Sequence, residues 1–257
     1  MKRRGNKMSG LKFRRKHIVH TFECDVKKEM TLPALINIMV ETSGLQSRHL
    51  GNTNEQMSER GLSWIIIQYD MQITQMPKSR ETITIETEAI SYNRFFTYRK
   101  FRAFDEADNL LVEVLTTFAM MDIKTRKLTQ IQEELVAPYQ AEKIRTMIRA
   151  PKIQAVNLET ASELPFRVRY LDIDGNNHVN NAKYFDWMIN SIDLEILKNY
   201  TVDSVNIKYE KEVNFGNIIN SFVSVEELEK DKVMTVHHIE NDHAIACRAN
   251  ITWVKRN

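Results

Sequence analysis

Asp174, Asn176 and His178 sit at alternate positions of one polar segment, Leu171 to Tyr184, which also holds Asp172, Gly175, Asn177, Asn180 and Asn181. An imidazole moves protons near neutral pH, a carboxylate orients or deprotonates water, and an amide fixes a water or a carbonyl by hydrogen bonds. Apolar residues at helical spacing follow at once: Phe185, Trp187, Met188, Ile189, Ile192, Leu194, Ile196 and Leu197. The start of such a helix offers backbone N–H groups and a positive dipole end, which can stabilise an oxyanion. Calcium is a competing chemistry, because Asp172, Asp174 and Asn176 match the opening ligands of an EF-hand. That loop needs Gly sixth and Glu twelfth, where this chain has Asn177 and Lys183, so calcium is rejected. Turn and cap formation explains Gly175 and Asn180. It does not require His178.

Other site chemistries find no support. The chain has no Gly-x-Ser-x-Gly elbow, and its seven Gly form neither a P-loop nor a dinucleotide fingerprint. His237 and His238 are adjacent in a strand pattern and so face opposite ways, and His243 sits in a turn with Asn241 and Asp242. No metal site and no cofactor are expected.

The elements that must position the segment repeat. In the first half a helix is expected from about Leu32 to Arg48, followed by strands Ser63–Ile73, Glu81–Ile90, Arg94–Phe104 and Leu110–Asp122. The second half repeats the order: a short strand Pro165–Leu171, a helix from about Asn181 to Lys198, then strands Val202–Val213, Asn217–Leu228, Val233–His238 and Ala244–Val254. Residues 138–160, with Pro138 and Pro151, read as a linker. The pattern is an α+β unit used twice. The loop of the first half that corresponds to the His178 segment is Asp25-Val26-Lys27-Lys28-Glu29-Met30, with no His and no Asn. One active site is therefore expected, in the second half, and replacing Lys27 or Glu29 by Ala is expected to be nearly silent.

The run Asp174-x-Asn176-x-His178-Val179-Asn180-Asn181-x-Lys183-Tyr184 resembles the active-site segment of fatty acyl-ACP thioesterases, and Tyr209-Glu210-Lys211-Glu212-Val213 is similar to that family's second active-site strand. Supporting likeness runs through Leu32–Leu50, Met120–Asp122, Arg126–Leu128 and Ile131–Leu135, over roughly residues 17–254. The resemblance implies two tandem hotdog units, each a long central helix wrapped by an antiparallel sheet: an N-terminal one over 17–137 holding the acyl chain, and a catalytic C-terminal one over 161–257. It implies hydrolysis of fatty acyl-ACP to free fatty acid and holo-ACP, ending fatty acid synthesis. It also implies a catalytic set of Asp174, Asn176, His178 and Glu212. Glu212 would otherwise read as a solvated strand carboxylate. Many members carry Cys where this chain has Val213, so a cysteine nucleophile is not expected. Which carboxylate acts as base stays open at this point. Met39, Ser43, Trp64 and Ile66 are candidates to line the acyl slot. Lys183, Arg145 and Arg149 are candidates for the acidic carrier protein.

Composition fits this frame. With 257 residues, 42% hydrophobic and 27% charged, the chain reads as globular, and no apolar run is long enough for membrane insertion. Two cysteines, Cys24 and Cys247, do not make a disulfide framework, which points to a reducing cytoplasm. The formal charge of +2 hides an asymmetry. Residues 1–16 hold eight Lys/Arg and no acid, leaving 28 basic against 34 acidic residues elsewhere. That arm reads as a disordered solvated tail whose removal leaves folding unchanged. It is too short for a helix-turn-helix, so no nucleic-acid partner is expected. An acyl-CoA thioesterase and a non-enzymatic acyl-binding hotdog module are the alternatives, and a homodimer is left open.

Overall fold

The computed structural model describes residues 10–175 and 177–256. The elements run β1 (Lys12–Ile18), α1 (Leu32–His49), α2 (Asn54–Glu59), β2 (Leu62–Ile73), β3 (Thr82–Tyr92), β4 (Phe96–Phe104), β5 (Leu110–Asp122), β6 (Leu128–Thr129), α3 (Glu133–Val136), β7 (Glu142–Lys143), β8 (Ser162–Arg167), α4 (Lys183–Asn190), α5 (Leu194–Asn199), β9 (Tyr200–Tyr209), β10 (Ile218–Glu229), β11 (Lys232–Asn241) and β12 (Ala244–Lys255). The strands form one sheet in the order β1-β3-β4-β5-β2-β9-β12-β11-β10-β8, with β6 beside β5 and β7 beside β3. Counted outward from the β2–β9 seam, β2-β5-β4-β3-β1 in one half answers to β9-β12-β11-β10-β8 in the other. The order is thus symmetric about the seam, as a duplicated unit requires. At the seam β2 and β9 run antiparallel, with Asp70 opposite Asn206 and Gln68 Nε2 donating to Asn206 Oδ1 at 2.6 Å.

α1 forms because Thr31 caps its start, accepting from the Ala34 amide at 3.3 Å, while Arg48 and His49 in the last turn complement the dipole. Its buried stripe, Leu32, Leu35, Ile36, Met39, Thr42 and Gln46, turns into the barrel. The corresponding helix of the second unit is broken, contrary to the expected run from Asn181 to Lys198. α4 ends at Asn190 and Asp193 starts α5, its carboxylate accepting from the Glu195 amide at 2.7 Å. A short acidic side chain bonding the backbone locally competes with helix continuation. Beyond β7 the linker forms neither helix nor strand. It is tied to the sheets where the Ile148 amide donates to Tyr98 Oη and Asn206 Nδ2 donates to the Pro151 carbonyl.

The expectation of a disordered arm over residues 1–16 fails from Gly10 onward; residues 1–9 lie outside the described residues. Lys12–Ile18 pair with β3 in antiparallel register. Gly10 packs so closely that a Cβ there would lie 1.9 Å from the Ala89 carbonyl oxygen. Two of the basic residues that suggested a solvated tail are strand residues facing an acid: Lys12 and Arg14 both pair with Glu86, which Arg102 also reaches. Glu86 is 1% exposed, so its carboxylate is buried beneath Lys12 and Arg14, whose own side chains stay partly in solvent. Net charge concealed the strand because its acidic partners lie about seventy residues downstream.

Candidate active site

The segment after β8 is shaped by its backbone. Asp172 is fully buried and accepts from the Arg169 amide at 2.8 Å and from Arg169 Nη2 at 2.8 Å, while its carbonyl takes the Asn180 amide at 2.8 Å. It closes the base of the loop and does not face the cavity. Above it the Asp174 amide donates to the His178 carbonyl at 2.9 Å and the Asn177 amide to the Asp174 carbonyl at 3.0 Å. Asn177 takes the left-handed conformation this tight turn needs, φ +63°, which Asn tolerates well. Val179 donates to the Val213 carbonyl at 3.2 Å, stitching the His loop to the segment that carries Glu212. Asn176 lies outside the described residues.

Glu212 does not sit on a strand as expected. β9 ends at Tyr209, and residues 210–213 leave the sheet. The departure lets the carboxylate swing to the His loop: Glu212 Oε2 lies 3.3 Å from His178 Nε2. A third group joins them that sequence reasoning did not single out as a site residue. Arg126, in the turn after β5 of the first unit, places Nη2 3.0 Å from His178 Nε2 and also ion-pairs with Glu212 Oε1. Its separation of 52 residues from His178 leaves no local signal of the contact.

Asp174, His178, Glu212 and Arg126 all border one cavity of about 1170 Å³. Its other walls come from one face of α1 (Ile36, Val40, Ser43, Ser47) and from β2 to β5 (Trp64, Ile66, Phe118, Thr97). Ile66, Phe118, Thr97 and Tyr92 are cross-strand neighbours in register, so the cavity runs across four strands, about 14 Å at ordinary strand spacing. Ser43, Trp64 and Ile66 thus line the slot as expected. Met39 does not; it is fully buried on the core side of α1. On the same face, beyond Thr97, stands buried Arg99, whose Nη1 donates to Gln46 Oε1 at 2.6 Å and Thr87 Oγ1 at 2.8 Å beneath the Tyr139 ring. Burial pushes its pKa down to about 10.

Two expected features are modified. Asn180 already takes the amides of Ala182 and Lys183, through its side chain at 2.9 Å and its carbonyl at 2.8 Å, so these N–H groups at the start of α4 are not available to an oxyanion. Lys183 pairs with Asp186 at 3.2 Å, while Arg145 and Arg149 are exposed on the linker. Cys247 is fully buried within β12, and burial pushes its thiol well above the ordinary range. Val213 is fully buried and accepts the Val179 amide through its carbonyl.

Residues 10–139 match the acyl-ACP thioesterase N-terminal domain, and residues 155–255 match the acyl-ACP thioesterase C-terminal domain. The chain belongs to the acyl-ACP thioesterase family. Within it, a Lactobacillus plantarum protein described as an oleoyl thioesterase superposes with a TM-score of 0.93 at 33% identity, covering 98% of this chain and 99% of that one. A 12:0-ACP thioesterase from Umbellularia californica superposes at 0.85 with 21% identity, over 95% and 94% of the two chains, a likeness of fold. An acyl-[acyl-carrier-protein] hydrolase of Cuphea viscosissima, chloroplastic by name, is 24% identical over 263 residues, 96% of this chain but 64% of its own length. The chain thus spans a little under two thirds of that plant relative. The tandem hotdog architecture expected from the sequence is the fold these structures share.

Proposed function

We propose that this chain hydrolyses the thioester of a fatty acyl-ACP, releasing free fatty acid and holo-ACP and so ending fatty acid synthesis. The observation that carries the reading is that His178, Glu212 and Asp174 border the same cavity as the Ile36, Val40, Ser43 and Ser47 face of α1 and the Trp64, Ile66, Thr97 and Phe118 side chains of β2, β4 and β5. The slot desolvates an acyl chain, and the polar end delivers water to its thioester. Water attacks the carbonyl carbon as a proton passes to the His–carboxylate set. The tetrahedral intermediate then collapses, the C–S bond breaks, and the proton returns to the leaving thiolate. Asp174, Asn176, His178 and Glu212 are the residues proposed for this chemistry. A reducing, cytoplasmic setting is part of the reading, supported by two free thiols, Cys24 and Cys247.

Release of free thiol from a panel of acyl-ACPs, short to long, run beside the matching acyl-CoAs, tests the proposal. Turnover of acyl-ACP at a kcat/KM at least about tenfold above that of the acyl-CoA is expected, a difference of about 1.4 kcal/mol in transition-state binding. Equal or preferential turnover of acyl-CoA would assign a different carrier. Binding of acyl chains without thiol release would make the chain an acyl-binding module.

A further inference from the structure

We propose that Arg126, supplied by the first unit, is a positioning residue for the active site of the second: its guanidinium bridges the Glu212 carboxylate and the His178 ring and fixes how the two face the thioester. The inference rests on the thioesterase reading above and assigns within it how these two groups are held.

The argument begins with donors and acceptors. A guanidinium carries only N–H donors. Arg126 Nη2 lies 3.0 Å from His178 Nε2, and a hydrogen bond between them has Nε2 as acceptor and the ring proton on Nδ1. Glu212 Oε2, 3.3 Å from the same nitrogen, is also an acceptor and gains nothing from an unprotonated Nε2. What keeps it there is the ion pair of its other oxygen with Arg126. The arrangement is poised for one proton. For Nε2 to take it from the attacking water, its one lone pair must first leave Arg126 Nη2; the resulting imidazolium then donates toward Glu212. The hydroxide oxygen bonds to the thioester carbon, the C–S bond breaks, and the proton on Nε2 passes to the thiolate, so ring and carboxylate return to their starting states. Glu212 orients and offsets charge; His178 carries the proton.

A second observation comes from the internal symmetry. The loop Asp25–Met30 has the same skeleton as Asp174–Val179. The Asp25 amide donates to the Glu29 carbonyl at 2.8 Å, the Lys28 amide to the Asp25 carbonyl at 3.0 Å, and Lys28 also has φ +63°. Met30 donates to the Pro77 carbonyl at 2.7 Å where Val179 donates to Val213. Glu29 thus occupies the place of His178, and Met76 that of Glu212. Here too an arginine beyond the last long strand of the opposite unit reaches across: Arg256, after β12, donates through Nη1 to Glu29 Oε1 at 2.9 Å. The fold delivers a crossing guanidinium to both loops. On one side it meets a carboxylate and makes a static ion pair; on the other it meets an imidazole and a carboxylate and bridges them.

The turn that presents Arg126 is itself fixed. Asp122 Oδ1 accepts from the Thr125 amide at 2.7 Å and from Thr125 Oγ1 at 2.9 Å, and the Arg126 amide closes the turn on the Asp122 carbonyl at 2.9 Å. Arg126 then takes φ +56°, in the left-handed region that Gly favours at this point of a hairpin.

The test uses Arg126→Ala and Arg126→Lys in the full chain, assayed on the best acyl-ACP with a melting curve for each. Loss of about 10²-fold in kcat with KM nearly unchanged is expected for Arg126→Ala, the scale for removing one preorganised donor. Added guanidinium ion, far below denaturing concentration, should restore part of that rate and none in His178→Ala. Arg126→Lys should recover only part, since one ammonium cannot reproduce the fork. A folded Arg126→Ala with kcat within about twofold of wild type would overturn the proposal, as would a loss confined to KM or a rate that guanidinium leaves unmoved. If Arg126→Ala does not fold, the kcat of Arg126→Lys decides by the same criterion. Each variant is read against wild-type turnover, so a wild type inactive on every thioester would refute the thioesterase reading itself, while an active wild type with insensitive Arg126 refutes only this assignment.

Discussion

At the scale of single residues, chemistry and structure are divided between two related loops. His178 and Glu212 border the cavity, whereas Glu29, at the place of His178, pairs with Arg256 of the other unit. Arg256 holds the Glu29 carboxyl below the usual range by hydrogen bonding, and Lys27 Nζ donates to the Leu197 carbonyl at 2.9 Å. The expectation that changes here are nearly silent is therefore an expectation about turnover alone, and stability should fall. Glu29→Ala should keep kcat within about twofold of wild type while costing about 1–3 kcal/mol, because it strands the Arg256 guanidinium. A folded Glu carboxyl with a lowered pKa stabilises above its unfolded value, and that contribution is lost as pH falls through the folded value. The stability gap between wild type and Glu29→Ala should accordingly close in acid. A gap that widened in acid would contradict the ion-pair account.

At the scale of elements, β1 is the largest departure from what the sequence suggested. Removing residues 1–16 takes away most of a strand paired to β3, strips Lys12 and Arg14 from buried Glu86, and leaves Gln46 without the Leu11 carbonyl that its Nε2 reaches at 2.7 Å. The truncation should cost more than about 2 kcal/mol, and each kcal/mol should appear as about 2–4 °C in Tm for a chain of this size. An unchanged melting temperature would return residues 10–16 to the status of a tail. Elsewhere local pattern was a good guide. The apolar 3.6-residue period starting at Leu32 located α1, and β5 runs from Leu110 to Asp122 as the strand pattern suggested. The breaks escaped because they depend on partners: Asp193 interrupts an apolar run by capping, and Glu212 leaves its strand to meet His178. The loop Asp174–Asn181 was legible because so many turn-forming and protonic groups crowd before an apolar helix. Arg126 was not, because nothing within its own turn reveals a contact made across the two units.

At the scale of the whole molecule, duplication explains the division of labour. A pseudo-twofold pairing of hotdog units yields two equivalent loops at the seam, and divergence keeps chemistry at one while an ion pair fills the other. The first unit then serves the second twice, with a slot between α1 and β2–β5 and with the guanidinium of Arg126. The central claim is that chemistry resides at His178, and the most direct test is the kcat of His178→Ala on the acyl-ACP that wild type turns over best, with a melting curve beside it. The account predicts a fall of about 10²–10⁴-fold, the usual worth of a positioned general base, with Tm nearly unchanged because the imidazole borders a cavity rather than filling the core. Near-normal turnover by a folded His178→Ala protein would contradict it.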